Sequence, residues 1–143
     1  MRTNRFELAL VVCLRTIAAV ESLAILAAFM PHAWMDACHR GLGLGALPER
    51  PILIYLTRSL SALYAAQAGL IWLVGSDVRR YAPVVRYLGF AFLVFGAVVL
   101  GIDCHAGLPW FWILGEGPVL MLIGPLILGL LWRSRQSGPV AER

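Results

Sequence analysis

Two short cysteine–histidine elements carry the side chains of this sequence with the greatest capacity for chemistry. Cys38 stands next to His39, and Cys104 stands next to His105. An aspartate precedes each pair, and a glycine and a leucine follow it, so the two elements resemble each other. Thiolates and imidazoles are ligands that zinc and copper favour, and a pair of cysteines can also form a disulfide. The sequence therefore raises two alternatives, a metal site and a covalent link.

The spacing of the ligands favours the disulfide. Zinc ligands that are close in sequence are commonly about two to five residues apart, so that both side chains can turn to one ion. Adjacent cysteine and histidine are poorly placed for that, and the sequence has no Cys-x-x-Cys pair of the kind that thiol oxidoreductases use. We therefore predict a disulfide between Cys38 and Cys104. Two free thiols are the next alternative, and a metal site of Cys38, His39, Cys104 and His105 is the weakest.

Ionisable side chains inside apolar stretches form the second candidate site. Each such charge costs about 2.5–3.5 kcal/mol in a membrane, so it normally faces the protein interior and has a partner. Counted from the outer ends of their stretches, Arg58 and Glu116 lie about 9 Å deep and Glu21 about 13 Å deep. Arg58 is therefore the expected partner of Glu116, of Glu21, or of both. Near the opposite surface, Arg15 and Gln67 lie at matching depths.

These charges have two interpretations. One is a polar lock that fixes the register of the helices. The other is an outward-opening pocket for a quinone headgroup, a lipid headgroup or a small anion, and the same composition would suit a proton relay. The walls and rim of the predicted pocket are Glu21, Tyr55, Arg58, Asp103, Glu116, Trp110 and Trp112.

The composition places these residues in a membrane protein. The chain has 143 residues, of which 60% are hydrophobic and 14% charged, and its mean hydropathy is +0.79. Soluble domains have about 45–50% apolar and about 25% charged residues. All 12 basic residues are arginines. Apart from Arg15 and Arg58 they stand outside the apolar stretches or near their ends, rather than in clusters with aromatic residues. That distribution argues against nucleic acid as a partner. The length suits one transmembrane domain, residues 1–143.

Four apolar stretches are each close to the roughly 20 residues that cross a bilayer. They predict transmembrane helices over residues 8–30, 52–74, 84–102 and 110–132. The first stretch is too long for the core of a signal peptide, so we expect it to be retained. In the fourth we expect kinks at Gly117-Pro118 and at Gly124-Pro125. Residues 133–143 are predicted to be a mobile polar tail.

The arginines set the expected orientation. Six of them precede the first stretch, separate the second from the third, or follow the fourth: Arg2, Arg5, Arg79, Arg80, Arg133 and Arg135. The positive-inside rule then places both termini in the cytoplasm and the loops 31–51 and 103–109 outside. The predicted fold is thus all-α, an integral membrane four-helix bundle made of two helical hairpins of the same orientation.

The first outer loop has a further predicted element. Pro31 and Gly41 bound a segment in which Trp34 and Met35 could dip into lipid, which predicts a short interfacial helix. With both loops outside, the two cysteine elements face an oxidising compartment, and this strengthens the prediction of a disulfide.

Two known groups of membrane proteins share features with this chain. The four-helix length, the outward first loop and Leu14-Arg15 near the start of helix 1 resemble the DoxX-like group of small bacterial membrane proteins. That resemblance implies quinone-coupled oxidation of sulfur compounds or redox homeostasis as the setting. The segment Ala19-Val20-Glu21-Ser22 is similar to the first helix of small multidrug transporters, which also have four helices and one glutamate there. On that alternative, Glu21 would couple transport to protons.

The expected function is that of an accessory or scaffold subunit of a redox or envelope complex, spanning the bacterial inner membrane several times. Its expected partners are the lipid bilayer and either other membrane subunits or a second copy of the chain. One alternative is a binder or carrier of a small amphiphile, such as a quinone or a lipid. Another is a proton-coupled small-molecule transporter that uses Glu21. An enzyme is the least favoured class, because the sequence shows neither a nucleophile–base pair nor a recognised metal motif.

Overall fold

Seven α-helices follow one another in the computed structural model, which describes residues 4–136. They are α1 (Arg5–Ser22), α2 (Ala24–Phe29), α3 (His32–Gly41), α4 (Pro51–Val74), α5 (Ala82–Ala106), α6 (Trp110–Gly115) and α7 (Gly117–Gln136). The described residues contain no strand, so the all-α prediction is confirmed. The predicted tail is partly wrong, because α7 continues through residues 133–136. Its remaining residues, 137–143, lie outside the described part of the chain.

Three helical stretches are long and apolar enough to cross a membrane: Arg5–Phe29, Ala82–Ala106 and Trp110–Gln136. They correspond to the first, third and fourth predicted spans and indicate a membrane protein. The second predicted span, α4, is a helix of 24 residues. At about 1.5 Å per residue it is long enough to cross. It also carries Arg58 and Gln67, which lower its apolar character, and its crossing stays a prediction.

The first and fourth spans are each divided in two. Between α1 and α2, the Leu23 amide donates to the Val20 carbonyl at 3.1 Å, a tighter turn than the α-helix makes. The neighbouring Ser22 hydroxyl donates to the Ala19 carbonyl at 2.7 Å, and such back-bonding bends helices. Between α6 and α7, the helix breaks at Glu116, directly before the predicted kink at Gly117-Pro118. No helix boundary accompanies the second predicted kink, because α7 runs through Pro125.

The contacts divide the chain into two compact units. The central unit is Leu14–Leu73, which holds most of α1 together with α2, α3 and nearly all of α4. The flanking unit is Met1–Cys13 with Val74–Arg143, which holds the start of α1 together with α5, α6 and α7.

Glycines bring α5 and α7 into backbone contact within the flanking unit. A Cβ atom on Gly124 would lie 2.5 Å from the Gly89 carbonyl oxygen, and one on Gly96 would lie 2.7 Å from the Gly117 carbonyl oxygen. As the residue numbers rise on α5 they fall on α7, so the two helices run antiparallel. Small residues allow this approach in membranes, where helices associate through close packing. By contrast, nothing lies within 4 Å of a Cβ atom built on Gly129, so that glycine takes no part in the packing.

Two contacts hold α4 against the first span within the central unit. The Arg15 guanidinium lies over the Trp72 ring, 4.0 Å from its centroid. The Arg58 guanidinium donates to the Met30 carbonyl oxygen at 3.3 Å. Along the first span the contact residues come in the order Arg15, Met30. Their partners on α4, Trp72 and Arg58, come in the reverse order along the chain, so these helices also run antiparallel. These two contacts join α4 to the first span at two places along its length.

Candidate functional site

The segment of residues 32–50, which we call the α3 platform, concentrates polar contacts in the central unit. Asp36 accepts hydrogen bonds from the Leu47 amide at 2.8 Å and from Arg40 Nε at 2.9 Å. His39 Nδ1 lies 2.8 Å from the Gly45 carbonyl oxygen. The loop after α3 therefore folds back along the helix that precedes it.

The platform follows from local sequence signals. Pro31 has a φ of −58° and stands at the N-cap of α3, where a missing amide hydrogen costs nothing. Gly43 and Gly45 have φ values of 73° and 83°, a left-handed backbone that other residues rarely adopt. Those two glycines allow the chain to reverse over a short distance. The predicted short helix is present as α3, and its place at the membrane interface stays a prediction. Trp34 is exposed, whereas Met35, expected to dip into lipid with it, is buried within the protein.

Hydrogen bonding lowers the pKa of Asp36 below its ordinary value of 3.8. The Leu47 amide is the largest cause, and the bonded Arg40 guanidinium is the next. Both groups favour the charged carboxylate, so Asp36 is an anion at neutral pH. The loop is thus held by a charge-assisted contact, the stronger kind of hydrogen bond.

An open cleft of about 410 Å³ lies on the platform. Its lining residues are His32, Ala33, Asp36, Arg40, Leu47 and Glu49. His32 Nδ1 faces the Glu49 carboxylate at 3.3 Å, while its Nε2 atom is buried and has no hydrogen-bond partner in the described structure. The cleft offers imidazole, carboxylate and guanidinium groups for polar recognition. Among residues 4–136, no three His, Cys, Asp or Glu side chains are grouped so that they could hold a metal ion.

The seven residues of the predicted pocket divide between the two units. Glu21, Tyr55 and Arg58 belong to the central unit. Glu21 lies at the end of α1, and its Oε2 atom is buried without a hydrogen-bond partner. The hydrogen bond of Arg58 goes to a main-chain carbonyl at the end of α2, rather than to a carboxylate as expected. Tyr55 is exposed.

The other four predicted residues belong to the flanking unit. Trp112 Nε1 donates to Glu116 Oε2 at 2.7 Å, which ties α6 to the break that precedes α7. Trp110 is exposed and packs edge-to-face on Phe111, with ring centroids 6.2 Å apart. Asp103 is only 4% exposed, and its Oδ2 atom has no hydrogen-bond partner in the described structure. The Trp112–Glu116 bond could have been predicted from the sequence, because residues four apart are neighbours on the surface of a helix.

The three cysteines are free thiols in the structure, so the predicted Cys38–Cys104 disulfide is not supported. Both residues lie within helices, because α3 continues to Gly41 and α5 continues to Ala106. The stretch 103–106, predicted to be part of an outer turn, is thus the last turn of α5. In a helix the backbone fixes where each side chain points, and a disulfide needs Cα atoms within about 7 Å. The similarity of the two Cys-His elements in sequence therefore does not bring the Cα atoms of Cys38 and Cys104 within that distance.

Two contacts that the sequence did not reveal involve Arg79 and Arg15. Arg79 donates two hydrogen bonds to Glu7, at 2.8 and 2.6 Å, within the flanking unit. The bonded carboxylate raises the pKa of Arg79. Arg15, expected near Gln67, instead covers the ring of Trp72. The two residues of each pair are far apart in sequence. The sequence therefore indicated only the depth of each residue along its helix, and several residues of a neighbouring helix can share that depth.

No family model, no curated protein and no solved structure matches this chain. The resemblance to the DoxX-like group therefore stays a prediction, as does the function that it implies.

Proposed function

We propose that the protein is a non-catalytic subunit of a bacterial inner-membrane complex and presents the α3 platform to a partner. The observation that carries this proposal is the fold of the platform itself. Its polar side chains bind the platform's own loop, through Asp36 to Leu47 and His39 to Gly45. A surface ordered in this way before binding loses little conformational entropy when a partner docks.

The platform also has the composition of an interface. The Trp34 side chain is 67% exposed, and tryptophan is enriched among the residues that dominate binding energy. The platform also carries Arg40 and the cleft residues His32, Asp36 and Glu49, polar groups of the kind found at interface rims. We therefore propose Trp34 as the apolar anchor. The partner is another membrane subunit or a second copy of the chain.

The finer topology belongs to the same proposal. We propose that α4 crosses the membrane, so that four helices form two hairpins with both termini in the cytoplasm. The platform and the end of α5 would then face the outside. The resemblance to the DoxX-like group adds a redox complex as the setting, with an envelope complex as the alternative.

Native mass spectrometry of the protein, purified from the cells that naturally make it, tests the scaffold proposal. The expected result is a partner subunit, or a second copy, at a fixed stoichiometry. Trp34→Ala should remove that partner, whereas Tyr87→Ala should retain it, because Tyr87 is a similarly exposed aromatic residue on α5. Equal retention in both variants would refute the platform as the docking surface. A wild-type protein without any protein partner would refute the scaffold function.

Asp103 favours a binder of a small amphiphile as a second candidate. A buried carboxylate oxygen without a partner is costly, and the hydroxyl of a ligand such as a quinol could donate a hydrogen bond to it. Titration of purified protein with a soluble quinol analogue, followed by tryptophan fluorescence, tests this candidate. Quenching that saturates in the wild type and is absent in Asp103→Leu supports it. Identical titrations would dismiss it.

Glu21 favours a proton-coupled transporter as a third candidate, because its buried oxygen lies beside the break between α1 and α2. Carboxylates inside membrane helices serve proton relays in many transporters. Cells that express the wild type should resist a lipophilic cation such as ethidium, and Glu21→Gln should remove that resistance. Growth that does not depend on residue 21 would end this idea.

A further inference from the structure

A groove opens on the flanking unit where α5 begins and α7 ends. Its volume is about 230 Å³. The lining residues are Arg86, Phe90, Leu128, Leu131, Trp132 and Arg135. The antiparallel contact at Gly89 and Gly124 brings these two helix ends together and forms the walls of the groove.

Two arginines of the groove lack a carboxylate partner. Arg86 and Arg135 form no ion pair among the described residues. One acid, Glu7, lines a second cleft together with Arg135. Both oxygens of Glu7 already accept hydrogen bonds from Arg79. The groove therefore has two guanidinium groups available for an anion.

The rest of the groove is apolar and open to the surroundings. Phe90 is 54% exposed and Trp132 is 60% exposed, while Leu128 and Leu131 lie deeper. These residues belong to the spans Ala82–Ala106 and Trp110–Gln136, so their apolar surface lies at membrane depth. The arginines lie toward the ends of the same spans, where lipid headgroups lie. The groove thus combines a cationic rim with an apolar floor.

We propose that this groove binds an anionic phospholipid of the surrounding leaflet. Arg86 and Arg135 bind the phosphate, since a planar guanidinium can donate two hydrogen bonds to one phosphate. An acyl chain lies along Phe90, Leu128 and Trp132. Basic pockets between transmembrane helices are known to select anionic headgroups. A lipid fits this groove better than a protein segment does. The arginines lie where a bilayer has its headgroups, and the apolar residues lie where it has its acyl chains. The inference does not depend on the proposed scaffold function.

Native mass spectrometry from nanodiscs tests this site. The protein is placed in nanodiscs of equal parts phosphatidylglycerol and phosphatidylcholine, and the lipids that stay bound on release are counted. The wild type should retain phosphatidylglycerol preferentially. Each arginine near an anionic headgroup contributes about fivefold, so Arg86→Gln with Arg135→Gln should weaken retention by roughly 25-fold. The effect should also shrink at high salt.

Two further variants make the result specific. Arg5→Gln with Arg80→Gln removes the same charge from the same unit but outside the groove, where each side chain lies over a neighbouring ring. This control should bind as the wild type does. Arg135→Gln alone changes one exposed residue in the last turn of α7, so it should fold and lose about fivefold in retention. The site is refuted if the wild type shows no preference, if the groove variants bind normally, or if the control loses as much as they do.

Discussion

The carboxylate of Asp36 links the two parts of the α3 platform, since it binds Arg40 within the helix and Leu47 in the loop. Its pKa is lowered from 3.8, so its contribution to stability is present above that value and is lost as the pH falls through the lower pKa of the folded state. We therefore expect the platform to be intact at neutral pH. The loop should detach progressively as the pH falls from 3.8 toward that lower pKa.

Hydrogen exchange of the Leu47 amide measures this pH dependence, because that amide is the donor to Asp36. After correction for the intrinsic exchange rate, its protection should fall with acidification. Asp36→Ala, which has no acceptor for that amide, should show low protection at every pH. The control is Glu49→Gln, whose side chain is 82% exposed and faces His32 rather than the Leu47 amide. Protection that is unchanged in Asp36→Ala would show that the carboxylate does not hold the loop.

Glu21 lowers stability in the absence of a ligand, because its buried Oε2 atom has no hydrogen-bond partner. Leaving such a group unsatisfied costs about 1–3 kcal/mol. We therefore expect Glu21→Leu to raise the melting temperature in detergent. Glu116→Leu is the matched control and should lower it, because Glu116 accepts a bond from Trp112. A lower melting temperature for Glu21→Leu would mean that its carboxylate is satisfied in the folded protein. Residues that lower stability without a structural reason are often functional.

At the scale of the elements, the pair of α5 and α7 depends on the absence of side chains at the contact. A Cβ atom on Gly124 would meet two main-chain atoms, the Gly89 oxygen at 2.5 Å and the Leu93 nitrogen at 2.9 Å. Backbone cannot move aside as a flexible side chain can. We therefore expect Gly124→Ala to force the helices apart and to lower the free energy of unfolding by about 1–3 kcal/mol.

Gly129→Ala, on the same helix, is the control for this prediction. Nothing lies within 4 Å of a Cβ atom built there, and alanine favours a helix by up to about 1 kcal/mol over glycine. The control should therefore be neutral or slightly more stable. Denaturation followed by circular dichroism in detergent compares the two variants. If both behave alike, the close approach at Gly124 is not needed for stability.

The apolar stretches predicted where helices lie, because hydrocarbon excludes unpaired backbone groups and so requires helices. Their ends were less predictable. The helix through Cys104 and His105 continues to Ala106 and stops at Gly107, whose φ is 66°. A glycine just past the last turn is a common stop signal, and it would have placed this end correctly. The break at Leu23 had a weaker signal, the hydroxyl of Ser22.

The partners of the candidate site were harder to predict than the helices. The Asp36 side chain binds an amide 11 residues away, and that distance follows from the turns at Gly43 and Gly45. Arg15 was expected beside Gln67 of the second predicted span, yet its partner on that helix is Trp72. Depth along a helix can be counted from sequence, whereas the rotation of one helix against another depends on packing. For the same reason, Cys38 and Cys104 could not be joined by sequence alone.

At the scale of the whole molecule, α4 decides the topology. If α4 crosses the membrane, α3 and the end of α5 lie on the same side. If it does not, three spans remain and the end of α5 lies on the side opposite α3. Cys38 and Cys104 are both exposed, so they report on these two places directly. Ser76, between α4 and α5, is also exposed and reports on the turn that joins them.

We expect α4 to cross, because 24 residues span about 36 Å of helix, more than the roughly 30 Å of hydrocarbon. Arg58 donates to the Met30 carbonyl just after α2, so its charge has a main-chain partner at the C-terminal end of the first span. Single-cysteine variants with Cys38, Cys104 or Ser76→Cys are treated with a membrane-impermeant maleimide on intact cells. Crossing requires that Cys38 and Cys104 react and that residue 76 reacts only after permeabilisation. If Cys38 and residue 76 react together while Cys104 is protected, α4 lies on one side of the membrane and the two-hairpin topology is wrong.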